Sequence, residues 1–213
     1  MKQRLLIVFA LAAIGGVNQA RADVVFMSVP VTAFSYTEGG NDGFTFTPNV
    51  NITVTALDYY LSPSNTLLDG HGVGIYAVSN QATPLVTATV GPCGGLNPAC
   101  NLVTAGSSFD SVAVAPTELF AGVQYMLAGL AFSDELENGG TSGLGIPLAD
   151  LVTAPAITLN AYYYDYNSSL DYPTTPYGTG YVGPNFQFAP DGGTTLALLG
   201  LAIAGLAGLR RKL

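Results

Sequence analysis

The chain has 213 residues, with 14 Asp and Glu against 6 Lys and Arg, a formal charge of −8 at neutral pH, and no tryptophan. All six cations (Lys2, Arg4, Arg21, Arg210, Arg211 and Lys212) sit at the two ends, so the stretch from Ala22 to Leu209 holds no Lys or Arg. Such a stretch cannot neutralise phosphates with basic side chains, which argues against nucleic acid as a partner, and self-repulsion is expected to keep it soluble.

In chain order, Lys2 and Arg4 precede the apolar stretch from Leu5 to Val17, and Ala20-Arg21-Ala22 supplies a small-residue cleavage pattern. This predicts an N-terminal signal-peptide helix over 1–22, removed on export, with the mature chain starting at Asp23. No cysteine follows the apolar stretch, so the pattern is not that of a lipoprotein.

Residues 23–188 are enough for one domain with a sizeable core. Their Val, Thr and Tyr content, punctuated by Gly and Pro, suits strands and tight turns. The clearest strand is Val50 to Ala56, whose alternation predicts Val50, Ile52, Val54 and Ala56 facing the core. Further strands are expected over Val24 to Thr32, Gly43 to Thr47, His71 to Val78, Leu85 to Val90, Phe109 to Val114, Gln124 to Phe132, Ile157 to Tyr164 and Tyr181 to Phe188. Residues 136–151 lack a clean period and read as loop or a short helical turn. Strands at this spacing without intervening helices predict an all-β fold, an antiparallel β-sandwich of jelly-roll-like form.

Several internal constellations bear on chemistry. Glu38 and Asp42, and separately Asp134, Glu135 and Glu137, lie in Gly/Asn-rich segments that offer oxygen ligands. Their spacing fits no EF-hand, and solvated acidic turns are expected, with Ca2+ as the rival reading and no other cofactor or metal. His71 is the one histidine, and no Gly-x-Ser-x-Gly elbow accompanies it, so a structural hydrogen bond is expected rather than catalysis. Cys93 and Cys100 flank a Gly/Pro loop, which in an exported protein reads as a disulfide worth roughly 2–3 kcal/mol. Metal binding is the rival reading there, with no His or further Cys nearby.

The segment from Tyr162 to Tyr181 holds seven of the 12 tyrosines. Alternation puts Tyr162, Tyr164 and Tyr166 on one face and Tyr163 on the other. One face must be core. Tyr162, Tyr164, Tyr166, Tyr172 and Tyr177 nevertheless form the candidate ligand surface, because tyrosine offers a flat apolar ring with a polar tip suited to sugars.

The C-terminus has three ordered parts. Ala189-Pro190-Asp191-Gly192-Gly193 is followed by an apolar run from Thr194 to Leu209 and then by Arg210, Arg211 and Lys212. As a helix the run is ~24 Å long, near the lower limit for a ~30 Å hydrocarbon core. Snorkelling of the basic stop extends its reach, and the stop's charge favours a cytoplasmic end. A transmembrane helix over 194–209 is therefore expected. Gly200, Ala204 and Gly208 give it one small face.

Pro190, Asp191, Gly192 and Gly193, the Leu/Ala/Gly span and the Arg-Arg-Lys stop together resemble the PEP-CTERM class of exported bacterial proteins. With Asp191 in the middle position and Gly192 after it, the signal is similar to the VPDSG-like variant, whose leading Val is Ala189 here. The resemblance implies an exosortase-like membrane enzyme as processing partner, transient anchoring in the inner membrane, and delivery to the cell surface or matrix. The segments Ile52 to Leu57, Leu67 to Tyr76, Leu85 to Val90, Leu119 to Tyr125 and Gly183 to Phe186 resemble, in the same order, a β-sandwich module that travels with such tails.

The sequence reading is thus a signal peptide over 1–22, a sandwich over 23–188 and a sorting signal over 189–213. The expected role is a non-enzymatic surface or matrix protein associated with exopolysaccharide or biofilm. The alternative is a carbohydrate-binding module using the tyrosines. A hydrolase would need two carboxylates at ~5–9.5 Å in a deep cleft.

Overall fold

The computed structural model describes residues 24–28, 40–61, 67, 69–102, 109–131, 146–147, 151–177, 179–180 and 183–190. The expected signal peptide and C-terminal helix lie outside these residues, as do Glu38, Asp134, Glu135, Glu137, the motif residues Asp191, Gly192 and Gly193, and the basic stop of Arg210, Arg211 and Lys212. Among the described residues no helix is long and apolar enough to cross a membrane.

The chain forms β1 (Val24–Val25), β2 (Met27–Ser28), β3 (Gly40–Pro48), β4 (Ile52–Tyr60), β5 (His71–Ala77), β6 (Val86–Val90), β7 (Phe109–Leu119) and β8 (Tyr125–Ala131). It continues with β9 (Ile146–Pro147), β10 (Val152–Thr153), β11 (Ile157–Asp165), β12 (Thr175–Tyr177), β13 (Thr179–Gly180) and β14 (Pro184–Pro190). All pairings are antiparallel. A four-stranded sheet runs β1-β14-β4-β7 and a six-stranded sheet runs β12-β11-β3-β8-β5-β6, with two short ribbons, β10-β2 and β13-β9. The jelly-roll likeness extends only to two antiparallel layers, since the main sheets hold four and six strands.

Alternating apolar residues from both sheets meet in one core. Phe44, Phe46, Val73, Ile75, Leu127 and Tyr162 come from the six-stranded sheet, and Ile52, Val54, Leu57, Tyr59, Phe186 and Phe188 from the four-stranded one. Rings bridge the layers: Phe46 of β3 lies 5.2 Å from Phe186 of β14, and Phe26 stacks on Phe186 at 4.7 Å. Aromatic pairs at such spacing stabilise beyond their area burial, by roughly 0.5–1.5 kcal/mol each.

Two expectations for β4 need correction. Val50 does not face the core; it lies in the β3–β4 turn, exposed. Between Val54 and Ala56 the register slips against both neighbours: Thr55 is the extra residue against β14, while on the other side Val114, Ala115 and Pro116 of β7 stand against it. The bulge reverses the alternation, so Leu57 and Tyr59 enter the core while Ala56 lines the outer face. A strict period of two cannot foresee that.

The outer face of the six-stranded sheet is also covered. Residues 166–174 cross it as a strap, packing Leu170 and Tyr172 with Tyr76, Met126 and Tyr163. Gly43, Ala128 and Gly74 form one row across β3, β8 and β5 that lacks bulk, and the strap settles on it. Asn41 fastens it: its side-chain amide donates to the Ser169 carbonyl at 2.7 Å, and its oxygen accepts from the Asp171 amide at 3.1 Å.

A Cβ added at Gly43 would lie 2.6 Å from Pro173 Cγ, 2.7 Å from Met126 Sδ and 3.0 Å from the Leu127 carbonyl oxygen. Gly43→Val is therefore expected to destabilise the fold by roughly 1–3 kcal/mol through overpacking. Urea denaturation checks this; an unchanged midpoint would show that the strap does not rest on this row.

Candidate functional site

β14 lies between β1 and β4, and its Phe186 and Phe188 are fully buried. Asn185 clamps β2 to it, accepting from the Met27 amide at 3.2 Å and donating to the Met27 carbonyl at 2.8 Å. The strand continues through Ala189, opposite Thr53, to Pro190, opposite Ile52, which in turn faces Leu119 of β7. The first residues of the sequence motif, Ala189 and Pro190, thus belong to the sheet rather than to a linker. β14 thus runs two residues past residue 188, to Pro190.

The tyrosines do not assemble into the ligand surface expected from sequence. Tyr162 and Tyr164 are 0% and 8% exposed, because the face of β11 they share turns into the core. Tyr162 lies against Phe44 and donates its hydroxyl proton to Asp42. Tyr172 belongs to the strap and packs edge-on against Tyr76 on the outer face of the sheet. Only Tyr166 and Tyr177 of the proposed five are well exposed, at 72% and 52%. Each rests edge-on against a buried ring, Tyr166 on Tyr164 and Tyr177 on Tyr162. They form the rim of the core at the β11–β12 edge.

Among the described residues three carboxylates, Asp42, Asp58 and Asp110, are buried, and the stretch around them holds no Lys or Arg to meet them. Asp42, expected in a solvated turn, instead lies within β3 and is 2% exposed. Burial pushes its pKa up to about 7, partly countered by the Tyr162 hydroxyl. Asp58 is pushed up to about 6 by burial, with the negative charge of Asp110 adding to the shift and hydrogen bonds from Ser111 and Gln187 opposing it. Gln187 Nε2 lies 3.0 Å from Asp58 Oδ1 and 2.7 Å from Ser111 Oγ, while Asp58 Oδ2 is buried without a hydrogen-bond partner.

Beside this group an open cleft of about 430 Å³ lies on the outer face of β4, β7 and β14. Thr55, Ala56, Ser111, Ala113 and Gln187 form its floor, and Asn101 and Leu102 one wall. That wall follows the Cys93–Cys100 loop, where the two sulfurs are bonded at 2.06 Å. The Asn101 amide donates to Asp110 Oδ1 at 2.6 Å, fastening the loop exit to β7. Sequence reading missed this cleft, and the bulge at Thr55 that shapes it has no obvious signal in the sequence.

His71 lies elsewhere, buried between the sheets. Its Nδ1 is 3.0 Å from the Leu130 carbonyl oxygen, and its ring stacks on Tyr59 at 4.3 Å. It is on β5, in the sheet opposite Ser111, so these contacts serve packing.

Residues 190–213 match the VPDSG-CTERM motif, a PEP-CTERM-like sorting signal, and the β-sandwich is compatible with the module expected alongside it. The motif indicates an exported protein handled by an exosortase-like membrane enzyme. No curated protein matches the chain. The matched segment begins at Pro190, the last residue of β14.

The buried carboxylates predict an unusual pH response. Asp42 and Asp58 each bind a proton more tightly folded than unfolded, so stability falls as pH rises from the ordinary carboxylate range near 4 through about 6 and 7. The melting temperature is expected to be higher at pH 5 than at pH 8. Asp42→Asn should raise stability at pH 8, leave it nearly unchanged at pH 5, and flatten the slope. A wild-type melting temperature that climbs from pH 5 to pH 8 would contradict the burial of ionisable Asp42.

Proposed function

We propose that this chain is an exported, non-enzymatic surface or matrix protein. It is delivered by exosortase-type sorting and associates with exopolysaccharide or biofilm material. The observation that carries the reading is the sorting motif over residues 190–213, continuous with a central strand of the sandwich. A processing enzyme acting on this tail meets a folded domain immediately beside the motif. The domain is then the cargo and the tail its handle.

Three further features support it. The chain between Ala22 and Leu209 is acidic and free of Lys and Arg, which suits solubility outside the cell and attraction to cationic matrix components. The cleft beside Asp58 is open, and its one serine accepts a hydrogen bond from Gln187 with no histidine beside it. The Cys93–Cys100 bond suits an oxidising compartment. The carbohydrate-module alternative loses most of its surface with Tyr162 and Tyr164 in the core.

Truncation in the native host after Pro190 keeps β14 whole and tests the reading. The expected outcome is loss of surface delivery. The intact mass of the full chain, isolated from its envelope, should show the signal peptide removed and the tail cut or modified. Unchanged localisation of the truncated chain, together with an unprocessed tail in the full one, would overturn the proposal.

A further inference from the structure

The strands place three exposed apolar side chains at one end of the sandwich. Val50 lies in the β3–β4 turn, and Phe120 and Val123 lie in the β7–β8 turn; they are 46%, 51% and 41% exposed. Hydrogen bonds stitch these turns into one surface. The Ala121 amide donates to Asn51 Oδ1 at 2.9 Å, and the Gly122 amide donates to the Pro48 carbonyl at 2.9 Å. Asn49 extends the surface to the start of β11, its backbone amide donating to the Ala156 carbonyl at 2.7 Å.

This is the end at which the chain leaves the fold. Pro190, Ile52 and Leu119 form one row across β14, β4 and β7, so Val50, two residues before Ile52, and Phe120, directly after Leu119, lie just beyond residues in register with Pro190. At ~4.8 Å between neighbouring strands, Leu119 stands only ~10 Å to the side of Pro190. Four residue steps separate Pro190 from Thr194, where the apolar run begins, and they span at most ~14 Å even fully extended. The run itself is short for a bilayer, which draws its start toward the hydrocarbon.

Charge is distributed in the same sense. The turns 48–51 and 120–124 contain no ionisable side chain. Asp42, Asp58, Asp110 and Asp165 lie toward the opposite ends of their strands, as the pairings of Asp42 with Tyr164, Asp58 with Ser111, and Asp165 with Asn41 show. Among the described residues Glu118, opposite Thr53, is the exception, one residue behind the end row, and in the chain Asp191 follows Pro190 directly and Asp23 precedes Val24. An acidic protein brought against anionic headgroups is repelled wherever its carboxylates approach them. Here the two turns that would lead the approach carry no charge and expose Val50, Phe120 and Val123.

We propose that this end of the sandwich, through Val50, Phe120 and Val123, docks on the lipid bilayer while the C-terminal run is inserted. Exposed apolar side chains clustered on an uncharged rim are the chemistry of a shallow membrane contact. The short connection holds them within reach of the interface. Docking presents the motif to a membrane enzyme in a fixed orientation, with the acidic end and the cleft directed away from the lipid. The inference rests on the sorting reading, because it needs the run over 194–209 in the membrane.

The absence of tryptophan makes the test direct. Three single variants of the full chain, Phe120→Trp, Leu201→Trp and Leu96→Trp, are reconstituted in phosphatidylethanolamine and phosphatidylglycerol vesicles with dibrominated acyl chains. Leu201 lies in the apolar run, and Leu96 is exposed in the disulfide loop near Asp110, toward the far end. Bromines are expected to quench the Leu201→Trp emission most strongly, quench the Phe120→Trp emission by roughly half, as for a ring seated ~5–10 Å into the headgroup boundary, and leave Leu96→Trp unchanged. Quenching at Leu201→Trp without quenching at Phe120→Trp would overturn the docking and leave the sorting reading standing. No quenching at Leu201→Trp would remove the membrane premise itself. Equal quenching at Phe120→Trp and Leu96→Trp would overturn the oriented contact. Circular dichroism confirms that each variant is folded before its emission is read.

Discussion

The absence of a side-chain cation between Ala22 and Leu209 governs how this fold is held together. An ordinary domain meets its buried carboxylates and ties its loops partly with Lys and Arg. Here neutral amides take that part. Asn41 fastens the strap, Asn185 clamps β2 to β14, Asn49 and Asn51 stitch the turns at one end, and Gln187 bridges Asp58 and Ser111. An amide donates and accepts without adding charge, so each serves two backbone or side-chain groups at little electrostatic cost. Asp42 and Asp58 have no cation to hold them ionised, and their proton affinities rise accordingly.

The same constraint orders the molecule along its length. Aromatic packing between Phe46 and Phe186 locks β14 into the core, and β14 carries the chain out beside the least charged turns. Sheet pairing runs up to Pro190, the first residue of the matched sorting motif, so the core and the motif share one strand. That link between core packing and delivery is what the two-layer architecture adds to the motif.

Much of the layout was legible in the residues because it rests on short-range patterns. The strands at Ile52, His71, Val86, Phe109, Tyr125 and Ile157 follow from alternation and breakers, and the tail from three ordered composition blocks. What escaped depends on distant partners. Asp42 looks like a loop acid until β11 and β8 close on either side of β3. Tyr162 and Tyr164 look like a binding face until the opposite sheet covers them. Leu170 and Pro173 look like linker residues until Gly43 and Gly74 leave space beneath them. In each case burial is decided by residues far away in the chain, and a local window does not contain them.

The sequence by itself determined the destination and the material: an acidic stretch of antiparallel strands without Lys or Arg, with a sorting signal at its end. Those are properties of composition and order, which survive unfolding. Only the tertiary structure decided which tyrosines are core, which face Ala56 takes after the bulge at Thr55, and where β14 ends. It also brought Val50, Phe120 and Val123 together beside Pro190, although they are distant in the chain. The physical reason is that strand pairing converts separation in sequence into adjacency across ~4.8 Å, and register, not composition, selects the neighbours.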